Sequence, residues 1–184
     1  MTKGKIHEYL GMCLDWSDTS CIRITMYDYL QDVLREVDAK GDMKGSAVTP
    51  ASANLFEIDE NSPKLDEKNA DYFHRIVARL LFACKRARPD LQVAVSYLCT
   101  RGKCPTKSDY DKLRRTIKYL RSTIHLPLVL GWDESGIINW SVDAAFAVHN
   151  DMRSHTGACT TLGKGSLMSW SMKQKITTKS STEA

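Results

Sequence analysis

Asp143, in the strand-like run WSVDAAFA, is the residue of this 184-residue chain whose type and setting most invite chemistry. Carboxylates are depleted from strands, and burying one without a partner is costly. Such a residue faces solvent or a partner near a strand end, or else it is kept for a ligand. His149 and His155 flank the run HNDMRSH and raise the question of a metal. No third ligand accompanies them, so the expectation is two solvated polar residues, in a turn and at a strand start. Lys173, Gln174 and Lys175 stand together on another predicted strand. A lysine there meets a phosphate as a point charge, or it guards a strand edge against aggregation. The cysteines, at 13, 21, 84, 99, 104 and 159, include no C-x-x-C pair. Reduced, mostly buried thiols are expected, not zinc ligands.

Charge is unevenly spread. Residues 1–71 carry 8 Lys/Arg against 14 Asp/Glu, whereas residues 72–184 carry 18 against 8. Arg101, Lys103, Lys107, Lys112, Arg114, Arg115, Lys118 and Arg121 crowd one segment, opposed there by Asp109 and Asp111 alone. Residues 152–182 hold five bases and no acid. Basic surface of this density is expected of a protein that follows a phosphate backbone, and equally of a solvated helix face.

The elements that must carry these residues follow from periodicity. Residues 4–16 read as extended, and with the strand CIRIT after the turn at 17–20 they make a hairpin the simplest arrangement. Met26, Tyr29, Leu30, Val33, Leu34 and Val37 share one helical face, predicting a helix over 26–38 opened by Thr25 with Asp28 and ended near Gly41. Residues 40–70 have no stripe and are rich in Gly, Ser, Pro and acids, the composition of a linker. From Tyr72, stripes through Ile76, Leu80 and Cys84, then Leu91, Val95 and Leu98, then Tyr110, Leu113, Ile117, Leu120 and Ile124, predict three helices separated near Pro89 and by RGKCPTK. Beyond Pro127 the period changes to that of strands, in LVLGW, GIINWSVDAAFAV, SHTGACTTL and SLMSWSMKQK, read as one antiparallel meander. Ser180 with Glu183 then has the spacing of a helix start.

Composition narrows the class. With 42% hydrophobic and 26% charged residues the chain is globular, excluding disordered and fibrous classes. The longest apolar stretch, near 91–99, is interrupted by Gln92 and Ser96 and is too short to span a bilayer. Glu8 and Asp15 interrupt any signal-peptide core behind the basic start. No repeat of 20–50 residues is present.

Taken together, the motifs resemble the Pol polyprotein of copia-type LTR retrotransposons, from the end of the reverse transcriptase into the start of ribonuclease H. HEYLGM at 7–12 resembles the primer-grip hairpin, and YFHRIVARLLFACKRARPDLQVAVSYLCTR at 72–101 the helical segment with its R-P-D turn. YDKLRRTIKYLRST at 110–123 resembles the following helix. WSVDAAFA, RSHTGA and MSWSMKQKITTKSSTEA resemble the first three ribonuclease H strands and the approach to the first helix. The resemblance covers nearly the whole chain; the stretch 40–71 and the CIRIT strand match it least.

The resemblance implies an α+β fold: an N-terminal hairpin and thumb-like helix over 1–39, a linker over 40–71, a helical connector over 72–126 and a partial ribonuclease H-like antiparallel sheet over 127–184. It implies that Tyr9, Leu10 and Gly11 hold the primer end, and that Lys112, Arg115, Lys173 and Lys175 meet the backbone of a primer–template or RNA/DNA hybrid. Asp143 matches the first carboxylate of a Mg²⁺-dependent ribonuclease H site, and the second would follow Ala184, which leaves Glu183 as its neighbour. The chain has no Asp-Asp pair of the kind polymerase catalysis requires, and one carboxylate holds two ions poorly, so no activity and no tight Mg²⁺ binding are expected of it alone. The remainder of the polyprotein is the implied partner, and cytoplasmic particles with a nuclear step the implied location. Two rival expectations share the basic residues: a domesticated or decayed remnant that binds hybrids without catalysis, and a decayed reading frame with no stable product.

Overall fold

A computed structural model describes residues 4–41 and 43–184; the basic start at 1–3 and Asp42 lie outside them. The run 4–16, expected as one extended piece paired with CIRIT, is itself folded into a hairpin of β1 (Ile6–Tyr9) and β2 (Met12–Asp15), with Tyr9 opposite Met12, where the resemblance of HEYLGM implied one. Leu10 and Gly11 join them at φ of 49° and 76°, the left-handed pair that matches the twist of a two-residue hairpin. Gly11 adopts this freely, whereas Leu10 is strained. β3 (Ile22–Thr25) extends the hairpin to a meander.

The next strand of this sheet comes from far along the chain. β4 (Leu128–Trp132) pairs antiparallel with β3, Ile24 opposite Leu128, and the short β7 (Gly163–Lys164) closes the order β1-β2-β3-β4-β7. This corrects the expectation that LVLGW opens the C-terminal meander. Alternating apolar residues identify a strand but not its partner, and here the free edge of β3 takes it. Gly165 sets the approach: at φ 74°, a Cβ there would lie 2.0 Å from the Val129 carbonyl.

Four helices form the core. α1 (Tyr27–Lys40) starts without the anticipated capping box, since its N-cap is the buried Met26 and no side chain caps it. Gly41 at φ 82° ends it as expected. α2 (Glu67–Cys84) begins before Tyr72, because Asp66 caps it by accepting the Asn69 N–H at 2.7 Å. A 3₁₀ turn over Pro89–Leu91 leads into α3 (Gln92–Thr100). α4 (Lys107–Ser122) starts at a Thr106–Asp109 capping box. Leu30, Val33, Val37, Phe73, Ile76, Leu80, Leu98, Leu113, Ile117 and Leu120 are buried together.

The stretch expected to be a linker is packed. From Met43 to Asp66 it forms no helix or strand, yet Met43 and Leu55 are buried and Phe56 half-buried. Thr116 and Ser122 of α4 donate to the Pro50 and Ala47 carbonyls at 3.0 and 3.2 Å. The Leu65 and Lys107 amides donate to the Pro105 and Pro63 carbonyls, both at 2.9 Å. The segment is a strap along α4, and its apolar residues escaped periodicity because they follow no period.

β5 (Asn139–Ala145), β6 (His155–Thr161) and β8 (Met168–Lys173) form a second antiparallel sheet in the order β5-β6-β8. Its β8 edge is bound by α3: Gln92 and Ser96 donate to the Ser169 and Ser171 carbonyls at 3.1 and 2.6 Å, and Ser169 Oγ donates back to Gln92 at 2.6 Å. Ser180–Glu183 makes a single turn, not a helix, with the Lys179 amide donating to the Glu183 carboxylate at 2.9 Å. The fold is α+β, and no described helix is long and apolar enough to cross a membrane.

Candidate nucleic-acid interface

The hairpin tip places Tyr9 and Leu10 in solvent. A Cβ on Gly11 would lie 3.7 Å from that of Tyr29, so the turn rests on the first turn of α1. Between them a cleft of about 350 Å³ is lined by Glu8–Cys13, Thr25 and Tyr27–Tyr29. It presents an exposed aromatic ring, a strained turn and a helix N-terminus to one side of the molecule.

The basic side chains are more committed than the sequence suggests. Arg75 and Arg79 grip Glu36 at 2.6 and 2.7 Å, and Arg121 grips Asp38 at 2.6 Å. Glu36 lies below the ordinary carboxylate range: its partial burial acts upward, but the two arginine hydrogen bonds outweigh it. Arg101 bonds Asp109, and Arg114 bonds Asp111. Arg88 is buried, held by Asp90 and by the Thr123 carbonyl and hydroxyl. The acidic first part of the chain thus neutralises part of the basic second part.

Of the residues singled out on α4, Lys112 turns inward. Its Nζ donates to the Glu57 carbonyl and, at 3.3 Å, to the Tyr97 hydroxyl, and burial lowers its pKa. Arg115 donates to Thr49 Oγ1 at 2.9 Å and leaves its Nε buried without a partner. Lys103 and Lys107, which had carried no assigned role, are exposed near the start of α4.

Asp143 stands exposed at the middle of β5, an edge strand, with Gly157 opposite it and Ser171 opposite Gly157. Its Oδ1 accepts the Ala144 amide at 2.9 Å. Gly157 adds no side chain beside the carboxylate, so that face stays open. Among the described residues no group of three or more His, Cys, Asp or Glu converges, here or elsewhere, so the residues present do not build a site for two metal ions. Lys173 shares the Asp143 face by register, roughly 12 Å away by strand spacing. It is tied to Asp151 at 2.7 Å, while Lys175 is exposed. The structure therefore groups Tyr9 with Leu10 and Gly11, and Asp143 with Lys173, and keeps the two groups on separate sheets.

Two expectations are overturned. His149 and His155 are buried, not solvated: His149 Nε2 lies 3.1 Å from His155 Nδ1, and His155 Nε2 lies 2.7 Å from Ser171 Oγ. Phe56 and Tyr97 close over them, so aromatic residues distant in sequence supply the apolar surroundings that local composition lacks. The six thiols are free, but only Cys84 is buried, and Cys99 and Cys104 are exposed. Burial in the core pushes the Cys84 thiol up.

The chain is similar to a putative transposon Ty5-1 protein of Saccharomyces cerevisiae, 27% identical over 171 residues that cover 93% of this chain and 54% of that protein. It is also similar to an uncharacterized mitochondrial protein of Arabidopsis thaliana, 28% identical over 182 residues, 98% of this chain and 72% of the relative. The chain spans about half the length of the first of these. No family model matches it, and no solved structure does.

Proposed function

We propose that this chain is part of a retrotransposon Pol polyprotein, the end of the reverse transcriptase joined to the start of ribonuclease H, and that it helps to hold a primer–template duplex. The observation that carries this reading is the likeness to a putative transposon protein over 93% of the chain. The strained hairpin tip and the exposed carboxylate at mid-strand give it physical content. Tyr9, Leu10 and Gly11 position the primer end, and Lys103, Lys107 and Lys175 supply the phosphate contacts that the internally bonded Lys112 does not. Asp143 is one ligand of a Mg²⁺ site that further carboxylates complete, and the chain alone hydrolyses no hybrid. On this reading the rest of the polyprotein is the partner, and cytoplasmic particles with a nuclear step are the location.

The test is fluorescence-anisotropy titration of the chain with a labelled RNA/DNA hybrid at several salt concentrations. Binding is expected to weaken by more than about tenfold between 50 and 200 mM salt, with no base preference, because phosphate contacts release counter-ions. Charge reversal at Lys103, Lys107 and Lys175 should reduce the salt slope. Affinity that is independent of salt, or undetectable at low salt, overturns the reading.

A further inference from the structure

The histidine cluster lies where three parts of the fold meet. Phe56 comes from the strap, Tyr97 from α3, and His149, His155 and Ser171 from the second sheet and its β5–β6 loop. Phe56 sets its ring 5.2 Å from His149 and 5.1 Å from His155, and Tyr97 stacks on His149 at 6.3 Å. The bond between the rings needs one nitrogen with a proton and one without. Two neutral imidazoles provide that in either tautomer, with Ser171 able to accept or donate at the far end. Charging both rings sets N–H against N–H.

We propose that the His149–His155 pair is a proton-operated latch that holds the three-stranded sheet on the strap and α3 at neutral pH and releases it in acid. The charged groups around it offer little compensation. From β8, Lys173 opposes a charge on His149; from the loop, Asp151 favours one but is already bonded to Lys173 and Arg153. From α4, Lys112 reaches the Tyr97 hydroxyl and the carbonyl of Glu57, the strap's acid next to Phe56, while among the described residues the groups that α3 and the strap set against the cluster are the neutral Ser96, Tyr97 and Phe56. Burial and then the neighbouring His149 push His155 down to about 4, and burial lowers His149 too. A ring that resists protonation in the docked state and accepts it once freed favours the undocked state as pH falls below the ordinary histidine value. Undocking would also release the Ser169 and Ser171 carbonyls from Gln92 and Ser96.

The experiment is amide hydrogen exchange on the full chain between pH 8 and 5, corrected for intrinsic rates, with NMR titration of the His149 and His155 rings in the same samples. For His155 alone, a fall from 6.5 to about 4 predicts an undocking equilibrium about 30-fold more favourable at pH 5 than at pH 8. Protection in β6 and β8 should drop by about that factor relative to α2 and α4. The double variant His149→Gln/His155→Gln should lose this dependence. Persistence of the differential loss in that variant overturns the latch. If the variant does not fold, the wild-type titration decides: His155 charging at its ordinary value, or charging while β6 and β8 stay protected, also overturns it.

Discussion

The helices between Tyr27 and Ser122 bury apolar side chains, whereas the sheet of β5, β6 and β8 buries polar ones. In the first region Phe73, Ile76, Leu80, Val95, Leu98, Leu113 and Ile117 are wholly inaccessible. In the second, the buried residues are His149, Ser154, His155, Thr160 and Ser171, while Trp140, Val142, Met168 and Met172 are more than half exposed. Trp140 and Trp170 cover one another at 5.6 Å on that apolar face, above a Thr160 hydroxyl that has no partner. Apolar burial is non-directional and contributes in proportion to area, so the helical region rests on many close-packed contacts at once. The sheet depends on a few directional bonds to α3, each contributing about 1 kcal/mol, and should open first.

That contrast can be broken most readily in the core. Leu80→Ala should cost about 2–5 kcal/mol in urea unfolding followed by helical circular dichroism, because the cavity cannot collapse among fully packed neighbours. A cost below about 1 kcal/mol would mean the helical region is loosely packed after all. Phe56→Ala should matter less globally, about 1–3 kcal/mol, and its effect should fall on the sheet. Faster exchange in β6 and β8 with α2 unchanged supports separability, and equal loosening of both removes it. Gln92→Ala leaves the Ser169 carbonyl and hydroxyl without their partner and should cost about 1–2 kcal/mol in the same local measurement. The smallest effect belongs to the exposed face. Trp140→Ser should change stability by less than about 0.5 kcal/mol in the same urea unfolding, and a large loss of stability would show that the indole pair holds the sheet together.

The basic segment shows how far sequence reading reaches. Arg101, Arg114 and Arg121 were visible as charge, but their carboxylate partners lie 8, 3 and 83 residues away, and the last distance has no sequence signature. The Asp66 and Thr106 caps are legible at the level of residue type, since each is an N-cap former just ahead of an apolar stripe, and they set helix starts at Glu67 and Lys107, earlier than the stripes alone predict. The histidine pair was not legible. Its burial depends on Phe56 and Tyr97, which no spacing rule connects to HNDMRSH.

Helical stripes from Tyr27 to Ile124 and the alternation in β5, β6 and β8 are determined by the sequence alone, because 3.6-residue and two-residue periods are built into the backbone. So is the imbalance of charge between the two parts of the chain, whereas the turn that splits 4–16 at Leu10–Gly11 is not, since a leucine at positive φ carries no turn signal. Tertiary structure alone decided that β4 joins β3, that the strap lies along α4, and that Lys112 points inward while Lys175 does not. Those choices depend on which surfaces meet after collapse: a free strand edge takes whichever strand reaches it, and a half-buried cation is placed wherever carbonyls and rings can receive it.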